Sequence, residues 1–179
     1  MVPEAPLERI EGGVVPAADG WFVLNAREAR WRDRPQRGKS LPFEGPLEFP
    51  HVGVVLFVLE PGEPIGMYHW EANQEDFLVL SGEALLLVEG QERPLKQWDF
   101  VHCPAGTDHI VIGAGEGTCA VLAVGAREHG DEETWGGYPV DELAARHGVS
   151  AERDTPDAAE AYARFPAPFP TSYGGWLPG

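Results

Sequence analysis

Hydrophobic positions in the middle of the chain fall into short runs that are separated by Gly, Pro and Asp. The runs cover residues 52–60, 65–71, 75–82, 83–90 and 118–127. Each run is either apolar throughout or alternates between apolar and polar positions, and none shows the sustained period of an amphipathic helix. The pattern therefore predicts consecutive β-strands joined by turns. Regularly spaced short strands in one domain are typical of a sandwich or a small antiparallel barrel.

The last fifty residues follow a different pattern. Residues 141–147 precede Gly148 and predict a short helix that ends at a glycine. Thr155 stands before Pro156 as an N-cap residue, so a second helix is expected from there to about Arg164. The final stretch is rich in Pro, Gly and aromatic residues and predicts no regular structure, although its aromatic side chains favour packing on the rest of the protein.

We divide the chain into three segments of one folded unit. Residues 1–50 form an arm that packs on the barrel, residues 51–127 form the barrel, and residues 128–179 form an extension with one or two short helices. A length of 179 residues fits a single domain.

Six basic residues are concentrated between Arg27 and Lys39. Their simplest interpretation is a solvated arm or a short helix, in which Asn25 and Glu28 are spaced like an N-cap and its partner. The alternative is a clamp for an anionic group of a substrate, because guanidinium groups bind carboxylates and phosphates with strong hydrogen bonds.

The overall charge restricts the possible partners. The chain has 29 acidic residues against 13 Lys and Arg, a formal net charge of −16. Nucleic acid backbones and anionic lipid surfaces repel such a protein, so we expect neither as a partner. The N-terminus has no basic start with an apolar run, and the longest apolar stretch, Val52–Leu59, is far shorter than the roughly 20 residues of a membrane span. We therefore expect a cytoplasmic protein.

Four residues of the strand region are potential metal ligands: His69, Glu71, Glu75 and His109. His69 and Glu71 are two positions apart on a predicted strand, so their side chains share one face. Glu75 begins the next strand and His109 opens another, and a barrel can bring all four to one interior point. Two imidazoles and two carboxylates suit Fe(II), Mn, Ni, Co or Zn rather than Cu(I).

The same residues also have a purely structural interpretation, since a strand histidine is usually packed or hydrogen-bonded and a lone glutamate is usually solvated. However, Glu71 and Glu75 should share the inward face with Met67, Phe77 and Val79. No Lys or Arg stands near the two acids in sequence, so buried carboxylates there require a cation or raised pKa values. We expect a metal site, and a metal-free barrel with hydrogen-bonded acids is the alternative.

These residues resemble the two signature motifs of the cupin superfamily of small β-barrels. The first motif, G-x5-H-x-H-x(3,4)-E-x6-G, is matched in spacing by His69, Glu71, Glu75 and Gly82. The second motif, G-x5-P-x-G-x2-H-x3-N, is matched in spacing by Trp98, Pro104, Gly106, His109 and Gly113. The resemblance covers roughly residues 50–127.

The chain departs from the family pattern at several motif positions. Glu71 replaces the second histidine, Trp98 replaces the opening glycine of the second motif, and Gly113 replaces its final asparagine. Gly62 lies one residue too far from His69 to be the opening glycine of the first motif. The change at Glu71 converts a site of three histidines and one glutamate into one of two histidines and two glutamates, which makes a bound metal less positive.

The resemblance implies an all-β fold, an antiparallel cupin β-barrel of the double-stranded β-helix or jelly-roll kind, here with short C-terminal helices. It also implies one divalent transition metal (Fe, Mn, Ni or Zn) on His69, Glu71, Glu75 and His109. Cupins of this size resemble dimer-forming proteins, so a homodimer is expected.

Two functions are compatible with this site. The first is a metal-dependent enzyme that acts on a small organic molecule, with dioxygenase-type oxidoreductase or isomerase chemistry and with Glu71 and Glu75 as the catalytic carboxylates. Its substrate would be lined by four apolar side chains: Met67, Phe77, Val79 and Val111. The second is a non-catalytic module that binds a metal or a small ligand, which would explain the change at Glu71.

Overall fold

The computed structural model describes residues 1–128 and 135–177 and consists mainly of antiparallel strands. The strands are β1 (Leu7–Ile10), β2 (Gly13–Pro16), β3 (Trp31–Asp33), β4 (Lys39–Pro42), β5 (Val52–Leu59), β6 (Trp70–Glu71), β7 (Glu75–Ser81), β8 (Glu83–Val88), β9 (Gln91–Lys96), β10 (Phe100–Cys103), β11 (His109–Ala114), β12 (Cys119–Ala126), β13 (Gly136–Gly137) and β14 (Phe169–Thr171). The helices are α1 (Glu142–Arg146) and α2 (Ala158–Ala161). Of the predicted extension, residues 129–134, 178 and 179 lie outside the described residues.

Two sheets enclose the barrel. The larger has the strand order β10-β7-β12-β5-β4-β3-β14, and the smaller has the order β11-β8-β9. One core cluster contains Val79 and Val121 from the larger sheet and Leu87 and Ile110 from the smaller sheet, so the two sheets pack face to face. The prediction of an all-β antiparallel barrel is confirmed.

The N-terminal segment contributes strands to the larger sheet. β4 pairs with β5 and β3 pairs with β4, so the sheet continues beyond the barrel into residues 31–42. Trp31 is fully buried beside Leu41 and Leu56. The basic segment is therefore neither a helix nor a solvated arm, because its apolar residues are buried against the outer face of the sheet.

The C-terminal segment contains the two short helices and one more strand. α1 matches the predicted helix, and the Asp141 side chain caps it by accepting a hydrogen bond from the N–H of Ala144 at 2.7 Å. α2 is shorter than predicted and is capped by Asp157, because the backbone of Thr155 is held extended by a bridge to Tyr138. β14 pairs with β3, in a stretch for which the sequence predicted no regular structure.

The two cysteines, Cys103 and Cys119, are buried and free of any disulfide. Among the described residues, no helix has the length and apolar character needed to cross a membrane.

Candidate metal centre

Three potential metal ligands meet at one end of the barrel. His69 directly precedes β6, Glu75 is the first residue of β7, and His109 is the first residue of β11. The backbones of the two histidines form an antiparallel bridge, in which the His109 N–H donates to the His69 carbonyl at 2.8 Å. The ligand atoms of all three side chains lie within 4.8 Å of one another. The strands thus bring together residues that are distant in sequence.

Both imidazole rings are oriented by the backbone in the same way. Nδ1 of His69 lies 2.8 Å from the carbonyl oxygen of Met67, and Nδ1 of His109 lies 2.9 Å from that of Thr107. Because a carbonyl can only accept, each Nδ1 carries the proton and donates. The Nε2 atoms are left facing the barrel interior, which is the arrangement of metal-binding histidines.

Two buried atoms of this group lack a hydrogen-bond partner among the described residues. Oε2 of Glu75 lies 3.0 Å from Nε2 of His109 and 3.2 Å from Nε2 of His69. Among the described residues, neither Glu75 Oε2 nor His109 Nε2 makes a hydrogen bond of acceptable geometry. Buried polar atoms are almost always paired, and leaving them unpaired costs free energy. A divalent cation between the three atoms would satisfy them all, so these residues fit a transition metal.

The ionisable groups are strongly coupled without a metal. Burial favours a neutral His69, but its contacts with Glu71 and Glu75 outweigh burial and raise its pKa to about 10. Burial likewise opposes charge on His109, but Cys103 and Glu75 raise its pKa to about 9. Burial alone would raise the pKa of Glu75, yet the two histidines lower it to about 2. Protons therefore occupy the positions that a metal needs.

We expect metal affinity to rise with pH because binding must displace those protons from His69 and His109. Between pH 6 and 8, which is below both pKa values, the affinity should increase by about tenfold or more per pH unit. Competition with a chelator of known affinity at several pH values measures the slope. An affinity that stays constant over this range would show that the imidazoles are already neutral in the metal-free protein.

Glu71 lies at the rim of this group. Its Oε1 is 3.6 Å from Nε2 of His69, and its side chain is 27% exposed against 16% for Glu75. The group of three with converging ligand atoms does not include Glu71. The structure thus brings three of the four predicted ligands together and leaves the fourth beside them, in contact with His69.

A cavity of about 300 Å³ opens in front of the ligands. Of the four predicted lining residues, only Phe77 borders it. Val79 and Val111 lie deeper in the barrel, where both are fully buried in the core. Met67 lies in a loop rather than on a strand, and it packs against Tyr138 and other residues of the extension. Strand alternation predicts the face of a side chain but not its depth, which explains these differences.

The cavity also contains residues that the sequence did not indicate. Tyr138 and Tyr162, from the C-terminal extension, form part of its wall. The ring of Tyr138 lies 6.0 Å from that of His69, and burial and Tyr162 hold the pKa of Tyr138 well above its usual value. The rings of Tyr138 and Tyr162 meet edge to face with their centres 5.6 Å apart, and the hydroxyl of Tyr162 accepts a hydrogen bond from the N–H of Met67 at 3.0 Å. Nothing in their sequence spacing relates them to the motifs of the barrel.

Comparison with known proteins agrees with this architecture. Residues 55–125 match the family model described as Cupin domain. Residues 55–125 therefore resemble a cupin domain, and the antiparallel barrel has the double-stranded β-helix fold of such domains.

Several solved structures resemble part of the chain. A putative sugar phosphate isomerase from Acidithiobacillus ferrooxidans is 33% identical, with a TM-score of 0.41, and the match covers 43% of this chain and 51% of that one. A sugar phosphate isomerase of the cupin superfamily from Silicibacter pomeroyi is 28% identical, with a TM-score of 0.44 and coverage of 57% and 62%. An RmlC-like cupin family protein from Methanocaldococcus jannaschii is 21% identical, with a TM-score of 0.41 and coverage of 45% and 73%. No curated protein matches the chain.

Proposed function

We propose that the protein is a metal-dependent enzyme that converts a small organic molecule in the barrel cavity. One observation carries the proposal: the ligand atoms of His69, Glu75 and His109 converge, and two of these residues, His69 and Glu75, line a cavity of about 300 Å³. A structural or sequestering site is closed by four protein ligands, whereas a catalytic site has three and leaves a position for water or substrate. Two imidazoles and one carboxylate with open positions are also the ligand set of non-haem Fe(II) oxygenases.

A divalent metal bound there would supply a Lewis acid that polarises substrate oxygens or, as Fe(II), a binding position for oxygen. His69 and His109 are fixed by backbone carbonyls, so they present their Nε2 atoms without rearrangement. Glu75 supplies the buried negative charge. The aromatic rings of Phe57 and Phe77 on the cavity wall limit the access of water.

Glu71 is the residue placed to move a proton. It borders the cavity, is partly exposed, and lies beside the ligand group without being one of its three members. A carboxylate in this position can take a proton from a carbon atom next to a substrate carbonyl and return it to another atom, which is the step that an isomerase needs. Tyr138 keeps its phenolic proton and can donate a hydrogen bond to a substrate oxygen.

The open position and the role of Glu71 can be tested together. Nitric oxide binds Fe(II) only where a coordination position is free, so the Fe(II)-loaded protein should give the EPR signal of the nitrosyl complex. A panel of small carbonyl compounds in D₂O then distinguishes the reactions, because an isomerase exchanges carbon-bound hydrogen without oxygen, whereas a dioxygenase consumes oxygen. Glu71→Gln should retain the metal and the nitrosyl signal but lose turnover by about a hundredfold.

The matched control is Glu116→Gln, because Glu116 is an exposed acid in the turn between β11 and β12. It should behave as the unmodified protein does. A metal-loaded protein that gives no nitrosyl signal would be a closed binding module rather than an enzyme. Full turnover in Glu71→Gln would exclude this residue as the base.

A further inference from the structure

Two arginines at the tip of the β3–β4 hairpin are buried without an acidic partner. Arg34 and Arg37 are each 8% exposed. Among the described residues, the ion pairs of Lys and Arg involve Lys39, Arg127 and Arg153 but neither of these two. Burial of an unpaired charge is costly, so the arrangement requires compensation from its surroundings.

Aromatic rings and backbone carbonyls provide part of that compensation. The guanidinium of Arg34 lies 4.7 Å from the centre of the Phe57 ring and donates to the carbonyl oxygen of Ile65 at 2.7 Å. The guanidinium of Arg37 lies 4.7 Å from the Tyr162 ring and 4.9 Å from the Phe165 ring. Both Nε atoms remain buried and unpaired within the described residues. The compensation is therefore incomplete.

Three of the residues that hold these arginines also form the cavity wall. Phe57, Ile65 and Tyr162 line the same cavity as His69 and Glu75. The two guanidinium groups thus lie directly behind this wall. Both remain charged at neutral pH, since burial and the neighbouring Arg37 lower the pKa of Arg34 only to about 10.

Among the described residues that line the cavity, the charged groups are offset or paired except at this wall. Glu71 and Glu75 would together offset a divalent metal, and Arg127 at the rim is already paired with Glu44 at 2.7 Å. The charge of Glu63 favours the charged form of Arg34, but the two side chains form no ion pair within the described residues. Two cations opposed by one acid leave a surplus of about one positive charge beside the metal-loaded cavity.

We propose that the cavity binds a small organic monoanion, a molecule with one carboxylate group, whose charge is stabilised by Arg34 and Arg37 acting through the aromatic wall. The inference rests on the proposed function and names its substrate class. The guanidinium groups attract the anion through a water-poor wall in which charges are weakly screened. The phenol of Tyr138, inside the cavity, is the hydrogen-bond donor for the carboxylate. A cavity of about 300 Å³ admits such a molecule and is small for a nucleotide sugar.

The test compares a charged and a neutral probe of nearly equal shape. Propionate and propionamide are titrated into the Co(II)-loaded full chain, and binding is followed by the visible absorption of Co(II). Arg37→Gln should lower the affinity for propionate by about tenfold and that for propionamide by less than about twofold. Arg37→Lys keeps the charge, so it should retain most of the preference for propionate.

The matched control is Arg32→Gln, which removes the same charge from an exposed position of the same hairpin. It should leave both affinities within about twofold of the unmodified protein. The inference is overturned if Arg37→Gln weakens both probes equally, or if Arg37→Lys loses the preference as fully as Arg37→Gln. The cobalt content of each variant is measured in parallel. Loss of the preference at full cobalt content supports the inference, and failure of the unmodified protein to bind cobalt overturns the proposed function itself.

Discussion

Replacement of His109 by Ala is expected to abolish metal binding. The protein purified without chelator should contain about one equivalent of a divalent transition metal, and His109→Ala should contain less than about a tenth of that. His109 is 1% exposed and holds one of the three converging ligand atoms, so its truncation removes a ligand from the interior of the site. Elemental mass spectrometry on untagged protein measures the content directly.

Two further variants define the ligand set. Glu75→Gln keeps the shape of the side chain but replaces a carboxylate oxygen by a weaker amide ligand, and it should also lose the metal. Glu71→Ala should retain it, because Glu71 lies at the rim and outside the group of three. Loss of metal from Glu71→Ala would instead show that all four residues predicted from the sequence are ligands.

The control for these variants is His102→Ala. His102 is half exposed, and its Nδ1 is hydrogen-bonded to Oδ1 of Asp76 at 2.6 Å, outside the group of converging ligands. Its loss should not change the metal content. The metalloenzyme proposal is contradicted if the unmodified protein remains metal-free after reconstitution with Fe(II), Mn(II), Ni(II) and Zn(II).

The centre of the barrel could be predicted from the sequence because its signals are local. Continuous or alternating apolar runs between turn residues predicted β5, β7, β8 and β12, and all of them form. Side chains on a strand alternate between faces, which predicted one shared face for His69 and Glu71. Glu75 and His109 begin other strands, and the barrel expected from the motifs was needed to place them at the same interior point.

The outer part of the sheet could not be predicted because its strands depend on partners that are distant in sequence. β3 and β14 are short and rich in charged residues or proline, so neither has a pattern of its own. They form because each provides the other with backbone hydrogen bonds, although the two strands lie near opposite ends of the sequence. Strand propensity depends on such context more than helix propensity does.

The same limitation applies to the cavity wall. Tyr138 and Tyr162 belong to the C-terminal extension, in which no motif identifies them as cavity residues. Arg34 and Arg37 lie in a basic segment whose composition predicted exposure to solvent, whereas both are buried. The strands of the barrel bring the candidate metal ligands together. The flanking segments add Tyr138 and Tyr162 to the cavity wall, so under the proposed function part of the specificity would come from residues outside the matched residues 55–125.

Trp31→Ala should therefore cause a large loss of stability although the residue lies outside the barrel core. Trp31 is fully buried, its ring meets those of Tyr173 and Trp176 at 6.4 and 5.5 Å, and its Nε1–H donates to the carbonyl of Ala26 at 2.8 Å. Truncation of a buried aromatic residue typically costs about 3–5 kcal/mol, which for a domain of this size lowers Tm by roughly 10 °C. Urea and thermal unfolding followed by circular dichroism measure both quantities.

Trp21→Ala is the matched control, because Trp21 is 53% exposed on the N-terminal segment and its loss should cost less than about 1 kcal/mol. A similarly small cost for Trp31→Ala would mean that the flanking segments dock loosely on the barrel. If the cost is large, the β3–β4 hairpin is an integral part of the fold. Since that hairpin carries Arg34 and Arg37 behind the cavity wall, Trp31→Ala should then also weaken the preference for propionate over propionamide, whereas Trp21→Ala should not.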